Sequence, residues 1–258
     1  MLSLFDPGTG RAEPLVPGHR GELRILSRGG PPDLAGLCDL LLPDLIRRTA
    51  EWHRLRVASA WAETGAWAGN GGGAGNGGGA AFRQAASALN LRPPDTDDLG
   101  PAADVCTGEG GAAAAGFWTR SGAVTFSADV GGTGPDPLAG LDGRGLDPLA
   151  LRLVLLGRRY RDPLTVTWPA LAAAGAELAS WRGLVADWAN LPSRPLSAAY
   201  RERIAAAFDD DLDTPAALAV LRDLAADASV PAGARFETFA DADRLFGLDL
   251  VRDVGRAG

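Results

Sequence analysis

The chain contains no lysine, so all 25 residues of the Lys and Arg class are arginines. A Walker-type phosphate loop, a Schiff base and a lysine clamp on phosphate each need a lysine amine, and the sequence therefore excludes them. The net charge of −7 is also opposite in sign to what broad, nonspecific nucleic-acid binding requires. We therefore expect neither a phosphate-loop enzyme nor a general nucleic-acid binder.

Soft metal ligands are nearly as scarce as lysine. The chain has two cysteines, Cys38 and Cys106, and two histidines, His19 and His53. They are scattered along the sequence, without the CxxC or HxxxH spacing that is typical of zinc sites. We predict no metal site, and no disulfide in a cytoplasmic chain.

Long hydrophobic runs are absent as well. No apolar run approaches the roughly 18–20 residues of a membrane span, and the N-terminal MLSLFDPGTG reaches Asp and Pro too early for a secretion signal. A hydrophobic content of 46% with 22% charged residues is ordinary for a globular protein. These features predict a cytoplasmic protein without membrane association, built as one large domain or two small ones.

The beginning of the chain predicts a strand, a turn and a helix. LSLF and ELRIL are short apolar strands, and SRGGPPD in residues 27–33 has the composition of a turn. A helix with a leucine stripe follows, and Pro43 within it predicts a break near Leu42. A strand that enters a helix through a glycine-containing turn is typical of a Rossmann-type half-domain.

The hexapeptide GNGGGA occurs twice in succession in residues 69–80. The segment from Gly73 to Gly78 matches GxGxxG, but it lacks the preceding strand that a dinucleotide-binding fingerprint needs. We interpret the repeat as a flexible linker that spans roughly 20 Å.

The next segments predict a helix, a hairpin and then a helical region. AAFRQAASALN has a helical pattern, and GFWTRSGAVTFSADV predicts a β-hairpin that turns at Ser121 and Gly122. From Pro148 onward the patterns are mainly helical, with stripes such as Leu171 and Leu178 and a short final element near FADADRLF. These patterns predict a helical bundle with short loops.

An aspartate-rich turn, DDDLD, precedes one of these helices. An EF-hand does not fit, because its sixth position would be Thr214 rather than glycine and its twelfth Val220 rather than glutamate. Asp213 or Thr214 is a suitable N-cap, and Pro215 suits the first helical turn. We therefore interpret the aspartates as the start of a helix rather than as a site.

The helical segments resemble a known family. DPLALRLVLLGRRYRDPLTVTWPAL, AFDDDLDTPAALAVL and DADRLFGLDL resemble the helical bundle of cysteinyl-tRNA synthetases, and equally that of the cysteine ligase of mycothiol biosynthesis. The resemblance implies an α/β plus all-α fold, in which a reduced Rossmann-like class I synthetase domain precedes a DALR-type helical bundle. It places the first domain at residues 1–145 and the bundle at residues 146–258.

The N-terminal resemblance is looser and departs from the family at its signatures. LRILSRGGPPD lies where the family has YVCGPTVYD, with Ser27 at the position of the zinc-binding cysteine. The HIGH signature falls on AGLC in residues 35–38, so both histidines are missing. LAGLDGRG before Leu146 takes the place of the KMSKS loop without its lysines. The remaining zinc ligands and the anticodon-binding domain have no counterpart, so the chain resembles a degenerate, truncated member.

These departures lead us to expect a catalytically silent paralogue with no catalytic residues and no resident cofactor. We expect it to act by binding a protein partner, a second copy of itself, an RNA or a small molecule; net charge does not favour tRNA. Residual binding of ATP or an adenylate would use a pocket formed by Ser27, Arg28, Gly29, Gly30, Asp33 and Cys38.

Two alternatives remain open. The first is a biosynthetic ligase or aminoacyl-tRNA-dependent transferase that uses the remodelled cleft, with Cys38 as its thiol nucleophile. The second is an assembly subunit whose interface is anchored by tryptophans, namely Trp118, Trp168, Trp181 and Trp188.

Overall fold

The computed structural model describes residues 1–18, 21–28, 33–62, 77–96, 99, 103–108, 115–127, 130 and 136–256. Its first elements are the antiparallel strands β1 (Ser3–Asp6) and β2 (Arg11–Pro14). A parallel four-stranded sheet follows, with β3 (Glu22–Arg28), β4 (Arg56–Ala62), β5 (Ala103–Thr107) and β6 (Ala115–Thr119) in the spatial order β4-β3-β5-β6.

Two helices connect β3 to β4, and they confirm the predicted break. Helix α1 (Leu34–Asp39) ends before Leu40, and α2 (Leu41–Trp52) begins after it, with Pro43 in its first turn. A proline fits there because the first N–H groups of a helix have no acceptor within the helix. The leucine stripe packs into the core, since Leu37, Leu45 and Ile46 are fully buried.

Helix α3 (Gly77–Ala88) corrects the end of the predicted linker, because Gly77 to Ala80 form its first turn. Phe82, Ala85 and Leu89 are buried at helical spacing, and this burial offsets the low helix propensity of the preceding glycines. Residues 69–76 of the predicted linker lie outside the described residues.

The predicted hairpin around Ser121 and Gly122 is wrong. Strand β6 pairs in parallel with β5, and β7 (Val124–Phe126) pairs in parallel with β8 (Leu164–Val166). The turn is held by a distant partner, because the N–H of Gly122 donates to the carbonyl oxygen of Tyr160 at 2.7 Å. The two β-rich arms therefore belong to two different sheets.

The rest of the described chain is mainly helical, as predicted, and it begins with the short helix α4 (Ala139–Asp142). The helices that follow are α5 (Pro148–Leu156), α6 (Trp168–Ala189), α7 (Ala198–Asp209), α8 (Thr214–Ala226) and α9 (Ala232–Phe246). Side chains of Asp147, Thr167 and Asp213 cap three of them. The expected short final element is a 15-residue helix, because its buried residues already begin at Gly233, before the FADADRLF segment.

One hydrophobic cluster includes buried residues from the strands, from α1 to α3 and from the C-terminal helices. The tryptophans Trp181 and Trp188 belong to it and pack edge-on against Phe239, with ring centroids 6.3 and 5.3 Å away. These two tryptophans are core residues rather than interface anchors. Among the described helices, none is long and apolar enough to cross a membrane.

Candidate functional site

The candidate site lies at the carboxyl ends of β3 and β5. After β3 the chain adds β4 on one side of it, and then crosses back to add β5 on the other side. In open parallel sheets, ligands bind outside the carboxyl ends of the strands at the point where this direction reverses. The strands here end at Arg28 and Thr107.

Three hydroxyl side chains form a row across one face of the sheet at this edge. Ser27 on β3 is in register with Thr107 on β5, which is in register with Thr119 on β6. All three residues are buried. The Thr119 hydroxyl lies 3.3 Å from the Tyr160 hydroxyl, whereas the buried Ser27 hydroxyl has no hydrogen-bond partner among the described residues. A buried hydroxyl without a partner is uncommon and costs stability.

The opposite face carries two arginines and an indole. Burial raises the pKa of the Cys106 thiol, and the charge and hydrogen bond of the Arg28 guanidinium oppose that rise. Cys106 is in register with Trp118, whose indole N–H donates to the carbonyl oxygen of Gly108 at 3.0 Å. The guanidinium carbon of Arg120 lies 6.0 Å from the Trp118 ring centroid.

Gly108 allows the backbone after β5 to lie close to the end of β3. Its φ is +99°, and a Cβ atom there would clash with the carbonyl oxygen of Arg28. Only glycine combines that backbone conformation with such a close approach. Among the described residues, this edge carries the guanidinium groups of Arg28 and Arg120 and the flat Trp118 ring, which are groups of the kind that contact anions and aromatic rings.

The predicted pocket residues occupy several different environments. Ser27 and Arg28 lie at the strand end, while the Asp33 carboxylate accepts from the Gly36 N–H at 3.0 Å and caps α1. Cys38 is buried inside the protein. Gly29 and Gly30 lie outside the described residues.

Cys38 lines a small cavity of about 20 Å³. Ser121, Arg158, Tyr160 and Thr214 also line it. Burial raises the pKa of the Cys38 thiol strongly; the Asp39 carboxylate adds to this, and the Arg158 guanidinium opposes it only in part. A thiolate is the nucleophilic form of cysteine, so this environment disfavours nucleophilic catalysis by Cys38.

Metal ligands do not assemble within the described part of the chain. No group of three or more His, Cys, Asp and Glu side chains is placed there so that it could hold an ion. The two thiols are both buried.

The aspartate turn contains the predicted cap and a contact that the sequence did not reveal. The Asp213 carboxylate accepts from the Ala216 N–H at 3.1 Å and caps α8, which confirms the prediction. Asp211, however, is buried and accepts from the Phe5 N–H and the Tyr160 hydroxyl, both at 2.8 Å, and from Arg161 at 2.7 Å. It ties β1 to the loop after α5, which no local pattern indicates.

A parallel sheet with helices, followed by a helical region, is an α/β architecture, and it is consistent with a class I synthetase-like fold. No family model matches the chain. The chain is, however, similar in sequence to curated cysteine ligases.

One relative is the L-cysteine:1D-myo-inositol 2-amino-2-deoxy-alpha-D-glucopyranoside ligase of Thermobispora bispora, 46% identical over 108 residues, which are 42% of this chain and 23% of the relative. Another is Cysteine--tRNA ligase 1 of Burkholderia lata, 37% identical over 110 residues, which are 43% of this chain and 23% of that protein. The Cysteine--tRNA ligase of Thermosynechococcus vestitus is 38% identical over 122 residues, 42% of this chain and 24% of that protein. In each case the match spans about a quarter of the relative's length.

Proposed function

We propose that the chain is a cysteine-ligase-like protein that forms no aminoacyl adenylate and binds a small anionic molecule at the carboxyl ends of β3 and β5. The observation that carries the proposal is the state of residues 35–38, which take the place of the HIGH signature. Gly36, Leu37 and Cys38 are buried on α1 and serve the core. No imidazole is available there to contact a phosphate.

The other signature positions support the same conclusion. Ser27 in place of a metal-binding cysteine is a weak metal ligand, and the chain has no lysine for a KMSKS-type loop. Removing one group that stabilises transition-state charge costs about 2.7–4 kcal/mol of barrier, and several such groups are absent. Adenylate formation is therefore not expected at a useful rate.

The binding part of the proposal rests on Arg28, Trp118 and Arg120. The Arg28 guanidinium beside Cys106 and the Arg120 guanidinium beside the Trp118 indole offer charge-assisted hydrogen bonds to a phosphate or carboxylate, and the indole offers a flat surface for a ring. The division of the chain into a synthetase-like domain at residues 1–145 and a DALR-type bundle at residues 146–258 belongs to the same proposal.

The second candidate, a ligase or transferase with Cys38 as nucleophile, has less support. The raised pKa keeps Cys38 in its thiol form, and the cavity of about 20 Å³ beside it is too small for an aminoacyl or sugar substrate.

A thermal-shift panel tests the binding proposal with ATP, cysteine, a sulfamoyl-adenylate analogue and total tRNA. Ligands that bind the folded state raise its melting temperature according to their affinity. We expect a shift with ATP or the analogue that Arg28→Gln and Arg120→Gln both reduce, and that the remote control Arg203→Gln leaves intact. No shift with any small molecule would overturn the binding proposal.

Two further measurements test the catalytic part. Exchange of pyrophosphate into ATP with cysteine should not exceed a no-enzyme control, and elemental analysis should find no stoichiometric zinc. Robust exchange would instead favour the ligase alternative, and one zinc per chain would contradict the assignment of Ser27 to the metal-ligand position.

A further inference from the structure

The connection between α6 and α7 contains an exposed proline-rich segment, LPSRPL, in residues 191–196. It forms neither helix nor strand, and its first five residues are all exposed. Leu191 is 51% exposed even though its side chain is apolar. The helices on either side, in which exposed residues are interrupted by buried or half-buried ones, contain no such run.

The sequence of the segment restricts its backbone to an extended form. Pro192 and Pro195 have φ fixed near −65°, within roughly 15°. Leu191 and Arg194 each precede a proline, which disfavours the helical region for them and favours extended or polyproline II values. A polyproline II helix has three residues per turn, so residues three apart share one edge.

Two side chains three residues apart lie on the side of the segment nearer the protein. Ser193 and Leu196 share the edge that faces the protein, since the Ser193 hydroxyl donates to Glu237 Oε1 at 2.9 Å and Leu196 is half-buried. The residues on the other two edges are exposed. One carries both prolines, and the other carries Leu191 and Arg194.

The segment is also held in place at both ends. A Cβ atom at Gly233 on α9 would clash with the carbonyl oxygen of Pro192, so the backbone lies directly against that helix. Beyond the segment, the Ser197 N–H donates to the Thr238 hydroxyl at 2.9 Å. A recognition element that is already ordered loses little conformational entropy when it binds.

We propose that residues 191–196 form a docking site for a protein partner with an aromatic-lined groove that receives polyproline II segments. Pro192 and Pro195 would enter the groove, as in other recognition of PxxP sequences. Arg194 is exposed and forms no ion pair with the described residues, so the groove should carry a carboxylate that meets it. This surface is separate from the strand-end site, and the proposal does not depend on the proposed function.

Titration of the intact protein with purified SH3, WW and EVH1 domains tests the proposal, because these domains present such grooves. We expect at least one domain to bind, and Pro195→Ala and Arg194→Ala each to weaken its binding by about tenfold, which corresponds to 1.4 kcal/mol. The matched controls are Pro231→Ala, at an exposed proline before α9, and Arg256→Ala, at an exposed arginine that is the last described residue. Neither control should change the affinity.

Melting temperatures of the four variants exclude unfolding as the cause of any loss. Absence of binding by all three classes of domain would overturn the proposal. Equal weakening by Pro231→Ala and Pro195→Ala would also overturn it, because the binding would then not depend on the position of the proline.

Discussion

Arg152 on α5 and Asp44 on α2 form a buried ion pair, with 2.6 Å between Nη2 and Oδ2. Arg48 donates to the same carboxylate oxygen at 2.8 Å. Arg152 also donates to the carbonyl oxygens of Phe246 and Leu89, at 2.6 and 3.0 Å. One guanidinium group thus satisfies acceptors from α2, from the end of α3 and from the end of α9.

Removal of Arg152 should therefore be strongly destabilising. Breaking a buried pair by deleting one partner costs about 3–5 kcal/mol, because the other charge stays buried with less compensation. We expect Arg152→Ala to lower the free energy of unfolding, measured in urea, by that amount. The control is Arg203→Ala, whose pair with Asp223 is exposed and should contribute at most about 1 kcal/mol. Similar losses of unfolding free energy in the two variants would contradict a larger contribution from the buried pair.

The same pair predicts a dependence of stability on pH. Burial raises the pKa of Asp44, but the guanidinium groups of Arg152 and Arg48 outweigh burial and hold the pKa below its ordinary value of 3.8. A carboxyl group with a lowered pKa in the folded state stabilises the protein above its unfolded pKa, and this contribution is lost as the pH falls through the folded pKa. The stability difference between the wild type and Asp44→Asn should therefore be largest near pH 7 and shrink below about pH 4. A difference that stays constant from pH 7 to pH 3 would contradict this assignment.

The aspartate turn should show a graded response to substitution. Asp211 is buried and accepts from the Phe5 N–H, the Tyr160 hydroxyl and the Arg161 guanidinium, so Asp211→Ala should cost about 3 kcal/mol or more. Asp213→Ala removes the cap of α8 and the ion pair with Arg159, and should cost about 1–2 kcal/mol. Asp210 is exposed, and Asp210→Asn should cost a few tenths of a kcal/mol. Chemical denaturation of the three variants checks this order, and a cost for Asp210→Asn as large as that for Asp211→Ala would refute it.

Caps and helix starts could be predicted from the sequence because they depend on a few neighbouring residues. Asp213 and Pro215 show the start of α8 within one turn, and Pro43 indicates the break before α2. The resemblance to cysteine ligases added the expectation that an α/β region precedes a helical region in the chain.

Contacts between distant parts of the chain could not be predicted in this way. Thr125 on β7 is in register with Thr165 on β8, forty residues away, and nothing local distinguishes this pairing from a hairpin. The row of Ser27, Thr107 and Thr119 likewise depends on strand register. Asp211 looks like its neighbours in the sequence, and only the fold brings Phe5 and Tyr160 to it.

Chemical reactivity of the two thiols provides the last prediction. Burial raises the pKa of Cys38 and of Cys106, and the thiolate is the form that reacts with iodoacetamide. The folded protein at pH 8 should therefore be alkylated much more slowly than the urea-unfolded protein, in which both cysteines should react. Cys106→Ser leaves Cys38 as the single thiol, so its rate can be followed alone by mass spectrometry. If Cys38 is a core thiol, its alkylation should accelerate in Arg152→Ala, because a less stable protein exposes its core more often. Fast alkylation of Cys38 in the stable folded protein would instead indicate an accessible thiolate, and would restore the ligase or transferase alternative.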